Sequence, residues 1–425
     1  MRILLVAPAT HPARRRRRGL FPPLSLLTVA GLTPAHHQVE LVDEAVEPVP
    51  FERDVELVGI TTSTACAHRA YYIADRFRER GVTVVLGGIH ASALPEEAAE
   101  HADAVVVGEA EGLWEQVLED YQAGRLQRIY RHQQFPRLDS VRTRRELIRA
   151  RDYVVPHTVQ TTRGCPYDCA FCSVTAFFGA TYRKRPVEAV VEEVRRLAGR
   201  LVVFVDDNLL GDSSYARQLL QALKSVGKRW LTQASLPSLR DDRLVSLAAE
   251  AGCRGIFVGF ESLSRLNLQR MRKAFNVVER YRETIERLHR FRIGVVGSFV
   301  FGFDEDDESV FERTLRFVQE VKIDLPTFSI LTPFPGTRLH EQMEAEGRIT
   351  DRNWSHYTGN RVVFRPLRMS AEALQQGFRW ALRKAYSLPS IWQRIAGLHS
   401  RVGLYTVMNL IYRRGVRDHL AAARG

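Results

Sequence analysis

The sequence predicts an α/β protein built as a doubly wound parallel-sheet domain, a partial (β/α)6 barrel and a small helical C-terminal cap. Three observations carry this. The chain has 425 residues, which at roughly 100–200 residues per domain fits two or three domains. Its 45% apolar and 26% charged content is that of an ordinary globular chain, which excludes wholesale disorder and a multi-span membrane protein. Short β-branched runs also alternate with helical stretches in two separate regions, the pattern of parallel sheets with crossover helices.

In residues 1–125 the predicted strands are Ile3–Ala7, Val39–Val42, Leu57–Ile60, Thr83–Leu86 and Ala104–Val107. Predicted helices over Leu24–Leu32, Arg69–Glu79, Glu96–His101 and Leu113–Asp120 separate them. A doubly wound domain binds its ligand beyond the carboxyl ends of the strands. The loops there are Thr61-Thr62-Ser63-Thr64, Gly87-Gly88-Ile89-His90 and Gly108-Glu109, whose small residues let a large ligand approach the backbone. Residues 126–155 are polar, Arg-rich and aperiodic, and read as a connection. A second alternating region, 156–346, has predicted strands Thr158–Thr161, Leu201–Val205, Trp230–Ala234, Gly255–Gly259, Gly294–Val300 and Leu325–Leu331, with helices such as Val187–Ala198 and Val278–Phe291. Such a barrel falls short of the closed eight-unit form. Residues 347–425 read as polar loop and then helix.

Charge and cysteine usage narrow the function. The chain carries 61 basic and 49 acidic residues, a net charge of +12, nearly all of the basic surplus being Arg. That suits an anionic partner, and it equally suits a coding bias towards Arg. The longest apolar stretch near the end, Val402–Tyr412, is interrupted by Thr406 and Asn409 and is too short to cross a bilayer. The N-terminal apolar run before Pro8 is shorter than a signal-peptide core, so a cytoplasmic location is expected. Of the five cysteines, Cys165, Cys169 and Cys172 fall within eight residues, unlike a disulfide framework. Cys66 and Cys253 read as small buried hydrophobes.

The segment Arg163-Gly164-Cys165-Pro166-Tyr167-Asp168-Cys169-Ala170-Phe171-Cys172 carries the chemistry. Its C-x3-C-x2-C spacing lets three thiolates hold three irons of a [4Fe–4S] cube and leaves the fourth iron open to a substrate or cofactor. The alternative is zinc, which wants four ligands, with His157 as the fourth.

This loop, following the first strand of a six-unit β/α region, resembles that of the radical S-adenosylmethionine enzymes. The resemblance implies that Phe171 contacts adenine and that Asp206, Asp207 and Asn208, ending Phe204-Val205-Asp206-Asp207-Asn208, hold the methionine amino group. It further implies that Gln233 and Ser235, with Glu261 in Gly259-Phe260-Glu261-Ser262, reach ribose and methionine carboxylate. The segments Gly87–Ser92 and Val105–Glu111 are similar to the Rossmann-like cobalamin-binding domain of one branch of that family, which includes methyltransferases and the anaerobic magnesium-protoporphyrin ester cyclase. Thr61, Thr62, Ser63, Gly87, Gly88, His90, Gly108 and Glu109 are then the implied cobalamin contacts. The D-x-H-x-x-G signature is absent, with Asp43-Glu44-Ala45 where it would begin, so no histidine from that motif reaches cobalt. Nor does a G-x-G-x-x-G follow the first strand, which argues against NAD or FAD.

Each site residue also has a plainer reading. Asp206 and Asp207 could cap the helix starting near Ser213. Glu261 could belong to a structural ion pair, and His90 could be an ordinary loop residue. Tyr153, His157, Tyr182, Trp354, His356 and Tyr357 could face substrate or pack. The run Arg14–Arg18 could be a solvated loop or could contact anionic lipid or an acidic substrate. The expected activity is methylation of an unactivated carbon of a small molecule or lipid-like natural product, using a [4Fe–4S] cluster, S-adenosylmethionine, cobalamin and an electron donor such as flavodoxin or ferredoxin. The alternatives are an anaerobic oxidative cyclisation of a tetrapyrrole-like substrate, a tRNA methylthiotransferase and a non-catalytic cobalamin sensor. Against the tRNA reading, the first domain has no second cysteine triad, and nucleic acid is not an expected partner.

Overall fold

A computed structural model describes residues 1–12, 17–139, 141–396 and 402–422. The first sheet contains β1 (Arg2–Ala7), β2 (Gln38–Asp43), β3 (Leu57–Thr61), β4 (Thr83–Gly87), β5 (Ala104–Val107) and β6 (Ile129–Arg131). Their order is β2-β1-β3-β4-β5-β6, all parallel. The order reverses between β1 and β3, which is where such a sheet opens a ligand crevice. Successive strand residues pack on opposite faces, Leu4 and Val6 into one core and Ile3 and Leu5 into the other. Helices cover both faces, as an all-parallel sheet requires. The sixth strand lies in the segment expected to be a connection, because three residues are too few to show a period.

The second sheet contains β7 (Thr158–Val159), followed by a two-stranded hairpin, β8 (Thr162–Arg163) with β9 (Arg183–Lys184). It continues with β10 (Leu201–Phe204), β11 (Arg229–Gln233), β12 (Cys253–Glu261), β13 (Gly294–Phe301) and β14 (Leu325–Ile330). Its six parallel strands are ordered by chain position, β14-β13-β12-β11-β10-β7, as in an open, partial barrel. The α/β class, the doubly wound first sheet and the six-unit second sheet agree with the sequence prediction.

The C-terminal helices Leu388–Ile395 and Val402–Ala422 seat against the amino-terminal ends of the barrel strands, while Ala371–Ala385 begins at the other end, its Leu374 packed on Gly302 just past β13. Tyr405 fills a notch left by Gly255 and Gly294, where a Cβ on either would collide with its ring or hydroxyl. The fully buried Arg394 donates to Ile323 O and Asp324 O, just before β14, both at 3.0 Å. The last two helices therefore leave the carboxyl edge of the barrel, where ligands bind, clear. Among the described residues no helix is long and apolar enough to cross a membrane.

Candidate functional site

The cysteine loop starts where the β8–β9 hairpin turns it away from the sheet. Gly164 has φ +83°, and a Cβ there would collide with Thr181 O, so glycine is required before Cys165. The loop is then tethered at its centre. Ala170 N–H donates to Met271 O and Leu339 N–H to Ala170 O, both 3.0 Å, while Asp168 pairs with Arg272 at 2.9 Å and Arg338 at 2.5 Å. Cys169 is buried, and Cys165 and Cys172 are half-buried.

Burial raises both Cys165 and Cys169, the latter to about 12, and the neighbouring cysteines raise each further. Three thiolates so placed repel one another unless a cationic centre binds them, which fits a cluster. Among the described residues no three His, Cys, Asp or Glu side chains converge closely enough for a single metal ion. Zinc needs such convergence, whereas each cysteine of a cube holds a separate iron. His157 lies at the far, amino-terminal end of the sheet, its Nε2 accepting Gly199 N–H at 3.0 Å.

The barrel edge divides its polar groups between support and reserve. Asp206 Oδ1 accepts from Thr161 N and Oγ1 and from Thr162 N and Oγ1, at 2.5–3.0 Å, and so fixes the turn between β7 and β8. Its Oδ1 is thereby committed as a clamp. Asp206 Oδ2 and Asp207 Oδ2 are both buried without a partner, and only Asp207 leaves the β7–β8 turn unclamped. Burial and the Asp206 charge push its carboxyl up to about 6. An orphaned carboxylate oxygen beside the cysteine loop fits an ammonium group. Neither acid caps the following helix; Asp212 does, accepting Tyr215 N–H at 3.0 Å.

Asn208 bridges the second and third strand ends. Its Oδ1 accepts Ser235 N–H at 3.0 Å, and its Nδ2 points at Cys165 Sγ, 3.9 Å away. Gln233 Nε2 donates to Asp207 O at 3.0 Å, and Ser235 Oγ lies 3.1 Å from Ser238 Oγ. Tyr182 donates to Asn208 O at 2.8 Å. Phe171 packs edge-on to Phe303 with Lys273 Nζ 5.7 Å from its ring. Glu261 ends β12 at a register shift with φ +64°, a conformation costly for a non-glycine residue. Its carboxylate pairs with Lys273 at 2.6 Å, so the structure favours the ion-pair reading over a free cofactor ligand.

Over the carboxyl ends of β3, β4 and β5, with Arg163, Phe177 and Phe178 opposite, lies a cavity of about 260 Å³, near the low end of small-molecule sites. Leu5, Leu26, Val85, Val106 and Trp114 form its apolar floor, and Thr61, Gly87, Gly88, Gly108 and Glu109 its rim. Gly88 has φ +99°, and a Cβ there would lie 2.7 Å from Thr62 N and O. A Cβ at Gly108 would meet nothing within 4 Å. A cradle of bare backbone over an apolar slot fits the insertion of one part of a cobalamin.

Three of the residues expected at the cofactor are engaged within the protein. Thr62 is buried and ties two loops together, its Oγ1 donating to Gly87 O at 2.8 Å and accepting Ala91 N–H at 3.1 Å. His90 is fully buried, because the expected loop winds into the helix Ile89–Ala93 directly after Gly88. Its Nε2 lies 3.3 Å from Glu97 Oε1, and its ring packs against Trp354. The Glu109 carboxylate is held by Arg163 and Arg183, each at 2.5 Å, and Glu111 also pairs with Arg163, at 2.6 Å. Ser63 is exposed and borders a different cavity, of about 410 Å³, with Thr10, Ser173, Phe334, Pro335 and Tyr357.

The Glu109/Glu111–Arg163/Arg183 network is the element that sequence reasoning missed. All four side chains are largely buried, and Arg163 stands two residues before Cys165. It joins the rim of the first cavity to the root of the cysteine loop. The alternating acids of Gly108-Glu109-Ala110-Glu111 are its only local signal.

Comparison with known proteins agrees with this geometry. The Radical SAM superfamily model matches residues 159–318, the B12 binding domain model residues 11–118, and a domain of unknown function residues 337–416. Bacteriochlorophyllide d C-12(1)-methyltransferase of Chlorobaculum tepidum is 31% identical over 88% of this chain and 85% of its own length. Bacteriochlorophyllide d C-8(2)-methyltransferase of the same organism is 32% identical over 94% and 92%. The radical S-adenosylmethionine methyltransferase TsrM from Kitasatospora setae, solved with cobalamin and a [4Fe–4S] cluster, superposes with a TM-score of 0.66 at 17% identity, covering 98% of this chain and 99% of that one; this similarity speaks for the fold. The chain thus belongs to the radical S-adenosylmethionine enzymes that carry a cobalamin-binding domain, a family whose cofactors are a [4Fe–4S] cluster, S-adenosylmethionine and cobalamin.

Proposed function

We propose that this enzyme methylates an unactivated carbon of an uncharged, lipid-like small molecule held between its two carboxyl edges. The observation that carries this reading is the buried Glu109/Glu111–Arg163/Arg183 network, since it keeps the cavity rim and the cysteine loop in one compartment. When bound, the cofactors supply one-electron chemistry at a C–H bond and a methyl group to place there. The chain's own residues then position and shield.

Cys165, Cys169 and Cys172 hold the cluster, and Asn208 directs an N–H at Cys165 Sγ. An N–H aimed at a ligating sulfur tunes a cluster's potential. Asp207 takes the methionine ammonium, Gln233 and Ser235 serve the ribose, and Phe171 lies against adenine. Gly87, Gly88 and Gly108, with Thr61, bring the backbone close to cobalamin. The 410 Å³ cavity is the place for substrate. Its walls come from both edges and offer hydroxyls of Thr10, Ser63 and Ser173 beside Phe334 and Pro335, with no charged side chain among the described residues that line it. A neutral, largely apolar molecule with a few hydroxyl or carbonyl groups suits that lining, because burying an unpaired charge there is costly. A small one-electron donor of the flavodoxin or ferredoxin type completes the system.

The test is an anaerobic turnover of reconstituted enzyme with S-adenosylmethionine carrying a deuterated methyl group, using neutral lipid and tetrapyrrole fractions as substrates. Label in a product carbon is the expected result. An oxidised or cyclised product without label would overturn methylation in favour of the cyclase-type reaction.

A further inference from the structure

The helix Val402–Ala422 has one face whose role no contact among the described residues explains, and it belongs to a module matched by a domain of unknown function. Its inner face is fixed. Tyr405 is 1% exposed in the Gly255/Gly294 notch and donates to Arg254 O at 3.1 Å, and Asn409 is 0% exposed, with Nδ2 donating to Asp324 O at 2.8 Å. With that side pinned, the outward stripe follows from helix geometry. Leu404, Val407 and Ile411 stand at i, i+3 and i+7, with Leu410 beside them; all four are exposed, Ile411 at 63%. The stripe does not stay apolar. Its next positions, one turn and two turns on, are Arg414 and Arg417, both exposed. On the preceding helix Trp392 is 75% exposed, a large indole left in water by its own chain.

We infer that this face docks the enzyme onto an anionic lipid surface. Exposed aliphatic side chains followed by arginines, with a Trp nearby, make the pattern of a helix lying in the membrane interface rather than crossing it. Charge complementarity selects the occupant. Arg414 and Arg417 match anionic headgroups, whereas a second copy of the helix would set arginine against arginine if paired parallel and against Leu404 and Val407 if paired antiparallel. The position agrees with this use, since the helix sits at the amino-terminal ends of the barrel strands and docking leaves the carboxyl edges open. We do not draw on the arginine run Arg14–Arg18 for this face. Arg14, Arg15 and Arg16 lie outside the described residues, and Arg17 and Arg18 donate to His11 O and Tyr153 O, both at 2.6 Å.

The test is flotation of the full chain, prepared anaerobically, with vesicles of phosphatidylcholine alone and of phosphatidylcholine with phosphatidylglycerol. The wild type is expected to float with the anionic vesicles and to be released by salt. Val407→Asp with Ile411→Asp should abolish flotation, and Arg414→Gln with Arg417→Gln should weaken it by about an order of magnitude. Unchanged melting temperature and cluster absorbance in both variants keep misfolding from imitating the result. Wild type that stays with the soluble fraction, or aspartate variants that float normally, would overturn the inference. So would a wild type of twice the chain mass that the aspartate pair converts to monomer.

Discussion

Around the cysteine loop the barrel keeps a polar atom in reserve, whereas at the edge of the first sheet most polar side chains are already engaged. Asp207 Oδ2 is buried and unpartnered, Asn208 directs an amide at Cys165, and Gln233 stays exposed. Across the interface, Thr62, Glu97 and Glu109 bond to protein and His90 does so through Nε2, its Nδ1 being buried without a partner, and the cavity offers glycine backbone and an apolar floor. The difference suits the ligands. An amino acid moiety carries charges that need partners in fixed directions, while a bulky corrinoid needs room and shape.

The largest effect that would break this comparison comes from the network joining the two edges. Arg163→Gln leaves Glu111 buried without its partner and Glu109 with Arg183 alone, and should cost about 3–5 kcal/mol of stability, read from the urea midpoint of the apoprotein. A loss below about 1 kcal/mol would mean that water reaches the network. Next is Gly87→Leu. Gly87 lines the cavity, and its Cβ would make only ordinary contacts, at 3.7 Å from Val106 O. The longer side chain should exclude cobalamin while cluster assembly continues, and joint loss of both would show that the edges are not separable.

Asp207→Asn follows, with S-adenosylmethionine binding weakened about ten- to a hundredfold by loss of a charge-assisted bond. Because the Asp207 carboxyl is raised to about 6, its ionised form declines as pH falls through that value. Wild-type affinity should fall over the same range and the Asn variant should show no such slope. The stability contribution of this group runs the other way. A raised carboxyl binds its proton more tightly when folded, so its share of stability decreases as pH rises from the unfolded value towards 6. Gln233→Ala is the smallest effect, about fivefold or less on the same affinity, with the iron content unchanged.

How much of this was legible depended on how local each signal is. The strands of the first sheet that could be read are continuous apolar runs such as Ile3–Ala7, buried on both faces, as in all-parallel sheets. Ile129–Arg131 and the β8–β9 hairpin, two or three residues per strand, are too short to carry a period. Cys165, Cys169 and Cys172 declare themselves because their spacing is contained in one loop. Arg163 and Glu109 stand 54 positions apart and meet only through packing. His90 was misplaced by one local event, the helix that starts after Gly88 and turns the imidazole inward. Glu261 was legible as anomalous at a strand end, but Lys273, its partner, was not.

The most direct test is to count iron, sulfide, zinc and cobalamin in the anaerobically reconstituted chain and in Cys165→Ala, Cys169→Ala and Cys172→Ala. The wild type should hold about four irons and four sulfides with one cobalamin per chain, and each cysteine variant should lose the iron and sulfide while keeping the cobalamin. Stoichiometric zinc without sulfide, or a wild type that assembles the cluster but never retains cobalamin, would contradict the account.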